Sequence, residues 1–364
     1  VPLASVGATF DPRRSGAPWE GWPAAWATIP ARLLWSSGQR SGMILHLPGD
    51  TARSQQVANE TFDRIATDLA EVPPTPPPFA SLPTREPAEQ VEAWRARVAR
   101  ALAAIGAGDL QKLVLARAVT HTLAGGAEWD VGATLARLPA TDAGAIRFAT
   151  SPPGARGVVV GATPEVLGRL DGRRVETAAL AGTCPRGADP VEDEALAARL
   201  LASDKDRREH ALVVEAIADA LRPLCAQLDL PAAPTLRRLR DVQHLESRFQ
   251  GTATPGTGVL DLAARLHPTP AVAGAPRDAA LAWLRDHEPL ARGAYAGAVG
   301  YVNPQGGGAL AVAIRSALLD GARAWTFAGA GVVPGSDPQA EWDETELKLR
   351  TVEGALTARP GGRV

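Results

Sequence analysis

Apolar residues at Val91, Trp94, Val98, Leu102 and Ile105 recur three and four positions apart. That is the period of a helix with one buried face, and Gly106 and Gly108 mark its end. The period then shortens to two. Over residues 110–123, Lys112, Val114, Ala116 and Ala118 fall on one face and Leu113, Leu115 and Arg117 on the other, which predicts a strand. Val158, Val159 and Val160 predict a second buried strand. Residues 204–224 return to the helical period, with Val213, Ile217, Leu221 and Leu224 inward and Pro223 at the end. Residues 287–302 and 309–319 predict a strand pair joined by a turn rich in Gly, Asn and Pro. Strand-like runs also occur at residues 32–35 and 43–47. Trp19, Trp22 and Trp26 lie close enough in sequence to pack together, with stacking on a ligand as the other reading. Strands come in runs broken by occasional helices, without strict alternation, so the pattern predicts an α+β fold.

Composition narrows this picture. The chain has 364 residues, 45 % of them hydrophobic, enough for one large core. Residues 72–88 are rich in proline and predict a stiff surface loop within one body that also includes residues 1–90. A single domain over residues 1–364 is the expectation. A net charge of −2 gives no reason to expect nucleic acid or an anionic membrane as partner. Cys184 and Cys225 make neither a disulfide framework nor a thiolate metal site, which points to a reducing cytoplasm. No apolar run is long enough to span a bilayer, and the opening residues carry no basic-then-apolar leader.

Four groups of residues carry candidate chemistry. Lys112 sits inside an apolar strand and is one of three lysines among 38 basic residues, with Lys205 and Lys348. Arginine does not serve as a base near neutrality, whereas a desolvated lysine does; a strand-end lysine reaching water is the equal alternative. Glu165 follows Pro164 between two apolar runs, where a carboxyl can stay protonated and act as an acid, or simply face water. Asp206 and Glu209 are spaced i, i+3 on one predicted helix, as are Glu341 and Glu344 on another. Two such pairs can supply oxygen ligands to a hard cation such as Mg²⁺, though each alone also fits a solvated helix face. Arg315 within an apolar strand calls for a carboxylate or phosphate partner, from the protein or from a substrate. Gly329 and Gly331 predict a glycine-rich turn holding an anion ahead of a helix that starts at Pro338, capped by Ser336 or Asp337. His244 and His267 stand alone.

In this order, these segments resemble the chorismate-utilising enzymes. The likeness runs from about residue 91 to the end. It is carried by Lys112-Leu113-Val114-Leu115-Ala116-Arg117, Gly161-Ala162-Thr163-Pro164-Glu165, Leu180-Ala181-Gly182-Thr183, Lys205-Asp206-Arg207-Arg208-Glu209-His210, Val242-Gln243-His244-Leu245, His267-Pro268-Thr269-Pro270, Arg292-Gly293-Ala294-Tyr295-Ala296-Gly297, Ala313-Ile314-Arg315 and the stretch from Gly329 to Lys348. The resemblance implies two large, mostly antiparallel sheets packed together with helices outside and an active site in the cleft between. It implies Mg²⁺ held directly by Glu209 and Glu344 and through water by Asp206 and Glu341, gripping the ring carboxylate of chorismate. Arg315, Tyr295, Lys348 and the amides of Gly329 and Gly331 would take the pyruvyl carboxylate. Gly182 and Thr183 would line the pocket floor, and His244 would sit near the enolpyruvyl group.

Within that family, Ala181 stands where aminodeoxychorismate synthases typically carry a nucleophilic lysine. Lys112 stands where ammonia-using anthranilate synthases typically carry glutamine. The resemblance therefore implies isochorismate synthase: a neutral Lys112 activates water for attack at C2, and Glu165 protonates the leaving C4 hydroxyl. Salicylate synthase, which goes on to eliminate pyruvate, is the alternative. Anthranilate synthase component I and a non-catalytic chorismate-binding homologue follow. No obligatory protein partner is expected. Cys184 replaces an arginine common among relatives and is assigned no chemistry.

Overall fold

A computed structural model describes residues 3–37, 40–46, 51–70, 82–138 and 145–357. Two large sheets form its frame, and every strand pairing in them is antiparallel. The nine-stranded sheet is built around Val242–Ala253, Arg174–Pro185, Val166–Asp171, Gly308–Val312 and Ala298–Val302. Ala4–Ala8 and Ala25–Thr28 extend it at one side. The seven-stranded sheet centres on Lys112–Thr122, Arg323–Val332, Ser316–Asp320 and Val158–Thr163. One buried apolar cluster runs through both sheets and the helices Val91–Gly106, Asp204–Leu221 and Val259–Leu266. The α+β fold of two packed antiparallel sheets is as the sequence implied.

The chain passes between the sheets at two neighbouring places. Val158–Thr163 belongs to one sheet and Val166–Asp171 to the other, so Pro164 and Glu165 lie in the passage. Gly308–Val312 and Ser316–Asp320 are divided the same way, and Ala313, Ile314 and Arg315 make the return. The two passages bond to each other: Val312 N–H donates to the Glu165 carbonyl at 3.0 Å, and Ala162 N–H to the Arg315 carbonyl at 3.1 Å.

Several sequence expectations need correcting. Residues 309–319 are not one strand but two, because Arg315 takes a positive φ of 51° that ends the extended run. Residues 287–302 are strand only over Ala298–Val302. Ahead of it, Glu288 and Arg292 are buried in an ion pair, and Ala296, at φ 59°, breaks the extended backbone. The pairing with Gly308–Val312 and the Asn303 turn are as expected, with Asn303 Oδ1 accepting from the N–H groups of Gln305 and Gly307. Gly329 and Gly331 are not in a turn; they lie inside the strand Arg323–Val332. The turn comes later, and Asp337 is the residue that caps the helix Pro338–Thr357, its Oδ1 accepting from Ala340 N–H at 2.8 Å. The end of the proline-rich stretch, Thr84–Pro87, is a strand on the edge of the seven-stranded sheet rather than loop; residues 72–81, like Leu47 of the early strand-like run, lie outside the described residues.

Trp19, Trp22 and Trp26 are buried and meet edge to face. Trp19 stacks on Phe327, which stacks in turn on Tyr295. The cluster is core, and through Phe327 it backs a cavity wall.

Candidate active site

A cavity of about 730 Å³, including its open mouth, lies where the two sheets face each other. Val114, Gly329 and Gly331 line it from one sheet, and Leu180, Ala181, Thr183 and His244 from the other. Glu165 and Arg315 enter from the two passages, Glu209 and the pair Glu344 and Lys348 from two helices.

The alternation along Lys112–Thr122 decides what faces the cavity. Ala116 N–H is taken by Glu288 and Val114 N–H by the Ala273 carbonyl, so both point away from Arg323–Val332. Their partners Gly329 and Gly331 are therefore the wide pairs of the ladder, and their N–H and C=O groups point outward from it. Pairing with Ser316–Asp320 stops at Thr326, which leaves that edge open to the cavity. Lys348 Nζ donates to the Gly329 carbonyl at 2.9 Å. A Cβ on Gly331 would stand 2.4 Å from Glu209 Oε1 and 3.2 Å from Lys112 Cε, so a larger residue there would push on the tips of that pair.

Lys112 is 1 % exposed, and its Nζ pairs with Glu209 Oε1 at 2.9 Å. The sequence reading of a lysine reaching solvent is thereby excluded. Glu165 is buried, and loss of hydration pushes its pKa up to about 7, against the opposing pull of a hydrogen bond from Thr269 and the charges of Lys112 and Lys348. Thr269 Oγ1 donates to Glu165 Oε1 at 3.3 Å. The carboxyl thus keeps a proton into the neutral range, the state an acid catalyst needs.

His244 holds its neighbour. Burial first, then the charges of Arg315 and Lys348, push its pKa well below the usual histidine range, so the ring is neutral. Nε2 lies 3.3 Å from an Arg315 nitrogen that can only donate. Nε2 therefore accepts, and Nδ1 carries the proton and donates to Thr183 Oγ1 at 3.0 Å. Arg315 also donates to the Lys348 carbonyl. Gly182, at φ 77°, forms a bulge that shifts the register before Thr183 and brings the backbone against Asp206. Burial lifts the Tyr295 phenol to about 12, so it stays protonated, and its oxygen faces Gly329.

The four carboxylates expected to hold a cation offer only oxygen, which suits Mg²⁺. They come from the two predicted helices, but not as a ready shell. Among the described residues no group of three His, Cys, Asp or Glu side chains converges enough to hold a metal. Glu209 is turned onto Lys112, Glu344 onto Lys348 at 2.6 Å, and Glu341 onto Lys205 at 2.9 Å. Burial first, and then the negative charges of Glu209 and Glu344, raise the pKa of Asp206; burial and Glu344 do the same to Glu341. Carboxylates that crowd one another in this way fit a site completed by added positive charge.

Sequence reasoning missed Arg292 and Glu288. Arg292 lines the cavity. Its guanidinium binds both oxygens of Glu288 and the carbonyls of Val272 and Val114. The i, i+4 spacing of the pair was present in the sequence, but the strand predicted there hid it. His267 lies outside the cavity, half-buried, its pKa lowered to about 4 by loss of hydration, bonding the Thr9 carbonyl. Cys184 is a thiol lifted to about 11 by burial, its Sγ against the Leu196 carbonyl, and it has no place in the cavity. No helix is long and apolar enough to cross a membrane among the described residues.

Known proteins resemble this chain in sequence and in fold. The chain is 43 % identical over 274 residues to the salicylate biosynthesis isochorismate synthase of Pseudomonas aeruginosa, covering 75 % of this chain but 56 % of that protein. It is 39 % identical over 280 residues to the isochorismate synthase DhbC of Bacillus subtilis, covering 74 % and 69 %. Among solved structures, MenF, the menaquinone-specific isochorismate synthase of Escherichia coli, superposes with a TM-score of 0.81 over 98 % of this chain and 78 % of that one, at 29 % identity. Anthranilate synthase component I of Streptococcus pneumoniae shares the fold, with a TM-score of 0.80 at 23 % identity over 96 % of this chain and 80 % of that one. The family described as chorismate binding enzyme matches residues 1–357. With that match over nearly its whole length, and a cavity whose cations and protonated acid suit a dicarboxylate, the chain belongs to the chorismate-binding enzyme family.

Proposed function

We propose that this protein is an isochorismate synthase, converting chorismate to isochorismate. The observation that carries the reading is a carboxyl lining the cavity, its pKa pushed up to about 7, together with a buried lysine just behind the wall formed by Gly331 and Glu209. Lys112 takes a proton from the water that attacks C2. Glu165 gives its proton to the C4 hydroxyl, which leaves as water, while the two ring double bonds shift from C1=C2 and C5=C6 to C1=C6 and C4=C5. In the resting protein the ammonium groups of Lys112 and Lys348 both act on Glu165, so base, acid and anion grip share one small space; Lys112 accepts the proton of water only in its neutral form, with Glu209 turned from it to the cation. Arg315, oriented by the neutral His244, takes the pyruvyl carboxylate, with Lys348, Tyr295 and the Gly329 and Gly331 amides beside it. Gly182 and Thr183 form the floor. Mg²⁺ bound by Glu209 and Glu344, and through water by Asp206 and Glu341, would offset the charge of the ring carboxylate. The relatives of like name support the choice of water over ammonia as nucleophile, as does Lys112 itself.

Purified protein incubated with chorismate and Mg²⁺, with and without ammonia, tests this. Isochorismate as sole product is expected. Salicylate with pyruvate would place the protein among the lyases, and anthranilate would overturn the reading. The Lys112→Ala variant is expected to lose isochorismate formation by about 100-fold or more, while chorismate binding changes only a few-fold.

A further inference from the structure

Three lysines occur in a chain that otherwise uses arginine for its basic residues. All three end on carboxylates of one cluster: Lys112 on Glu209, Lys348 on Glu344 and Lys205 on Glu341. The first two line or border the cavity. Lys205 does not, and the mechanism gives it no task. It stands at the start of the helix Asp204–Leu221 and reaches across to Glu341 on the helix Pro338–Thr357. Glu341 is 2 % exposed, whereas Lys205 keeps 35 % of its side chain in solvent. A carboxylate this deep needs a positive partner, because an unpaired buried charge is strongly destabilising.

We infer that Lys205 is a displaceable counter-cation, holding Glu341 in the metal-free protein and yielding it when a divalent cation binds. The inference rests on the proposal that Mg²⁺ binds between these two helices. A carboxylate pointed at a divalent ion has no need of an ammonium on its other side, and the two positive charges repel. Lys205 has an open way out, since its side chain is partly in water already. The choice of lysine follows as well. An ammonium makes one point contact, whereas a guanidinium grips a carboxylate with two parallel bonds and releases it less readily. Arginine would lock Glu341; lysine guards it and lets go. The cost of breaking the pair is then subtracted from the affinity for the metal.

Calorimetric titration of chelator-treated protein with MgCl₂, without substrate, tests this. Lys205→Met is expected to bind Mg²⁺ about tenfold more tightly than wild type, and Lys205→Arg about tenfold more weakly. In chelator, Lys205→Met should melt below wild type, and saturating Mg²⁺ should close the gap. Equal Mg²⁺ affinity in wild type and both variants, with a melting deficit that Mg²⁺ leaves unchanged, overturns the inference and leaves an ordinary ion pair. Should Lys205→Met not fold in chelator, the affinity of Lys205→Arg decides alone, and an unchanged or higher affinity overturns the inference. If wild type and variants all bind no Mg²⁺, the metal site itself falls, and this inference with it.

Discussion

Glu165 shows how much a single environment sets. It sits behind a proline in the passage between the sheets, buried, and its side chain accepts a hydrogen bond from Thr269. With a folded pKa of about 7 against an ordinary value of 4.5, it binds more protons folded than unfolded between those two values. Stability contributed by the neutral carboxyl is therefore complete below about pH 4.5 and lost as pH rises through about 7. Glu165→Gln removes that loss. The variant is expected to match wild type near pH 4.5 and to exceed it at pH 8 by on the order of 3 kcal/mol, read from urea midpoints. Its activity should fall by about 100-fold or more, and the alkaline limb of the wild-type rate profile should fall as pH climbs through about 7. A wild-type rate that stays flat across that range would remove Glu165 as the acid. Sequence alone left Glu165 open between acid and solvated turn, because one residue after a proline says nothing about the second sheet that closes over it.

At the scale of elements, periodicity served well where one element packs on one core. The helix Val91–Gly106 and the strand Lys112–Thr122 lie where their patterns placed them. It failed at residues 287–302 and 309–319, where apolar runs continue through buried polar side chains and positive φ angles that no pattern records. The glycines at 329 and 331 were expected in a turn, and they lie instead inside a strand that lines the cavity. Inside the strand, Gly331 puts no side chain against the Lys112–Glu209 pair, and Gly329 none against the Tyr295 hydroxyl. Gly331→Ala tests this. The Cβ would collide with the tip of Glu209, a flexible end that can swing aside, so folding should survive with a melting point within a few degrees of wild type. Turnover should drop by about tenfold or more, because the pair beside the cavity is pushed out of register.

Across the whole molecule, the pieces that form the site arrive from distant parts of the chain. Glu288 shows what ties them. It accepts from Ala116 N–H in one strand, from Arg292 beside the cavity and from Arg97 on the helix Val91–Gly106. Glu288→Ala would leave Arg292 buried without its carboxylate, and a loss of about 3–5 kcal/mol is expected from chemical denaturation. The likeness to a family was legible from nine short motifs, and with it the two-sheet fold. What sequence could not give was which carboxylate meets which lysine, since those contacts join residues as far apart as Lys205 and Glu341.

The two passages between the sheets carry a mechanical consequence. Val312 and Ala162 bond the backbone of Glu165 and Arg315 crosswise, so the two passages are tied to each other. Such a tie is expected to make the two passages move together, and any opening for a ligand is then expected at the facing wall, where the carboxylate-bearing helices stand. Hydrogen exchange should report this division. The Ala162 and Val312 amides are expected to exchange only with global unfolding, while the first turns of Asp204–Leu221 and Pro338–Thr357 open at lower cost.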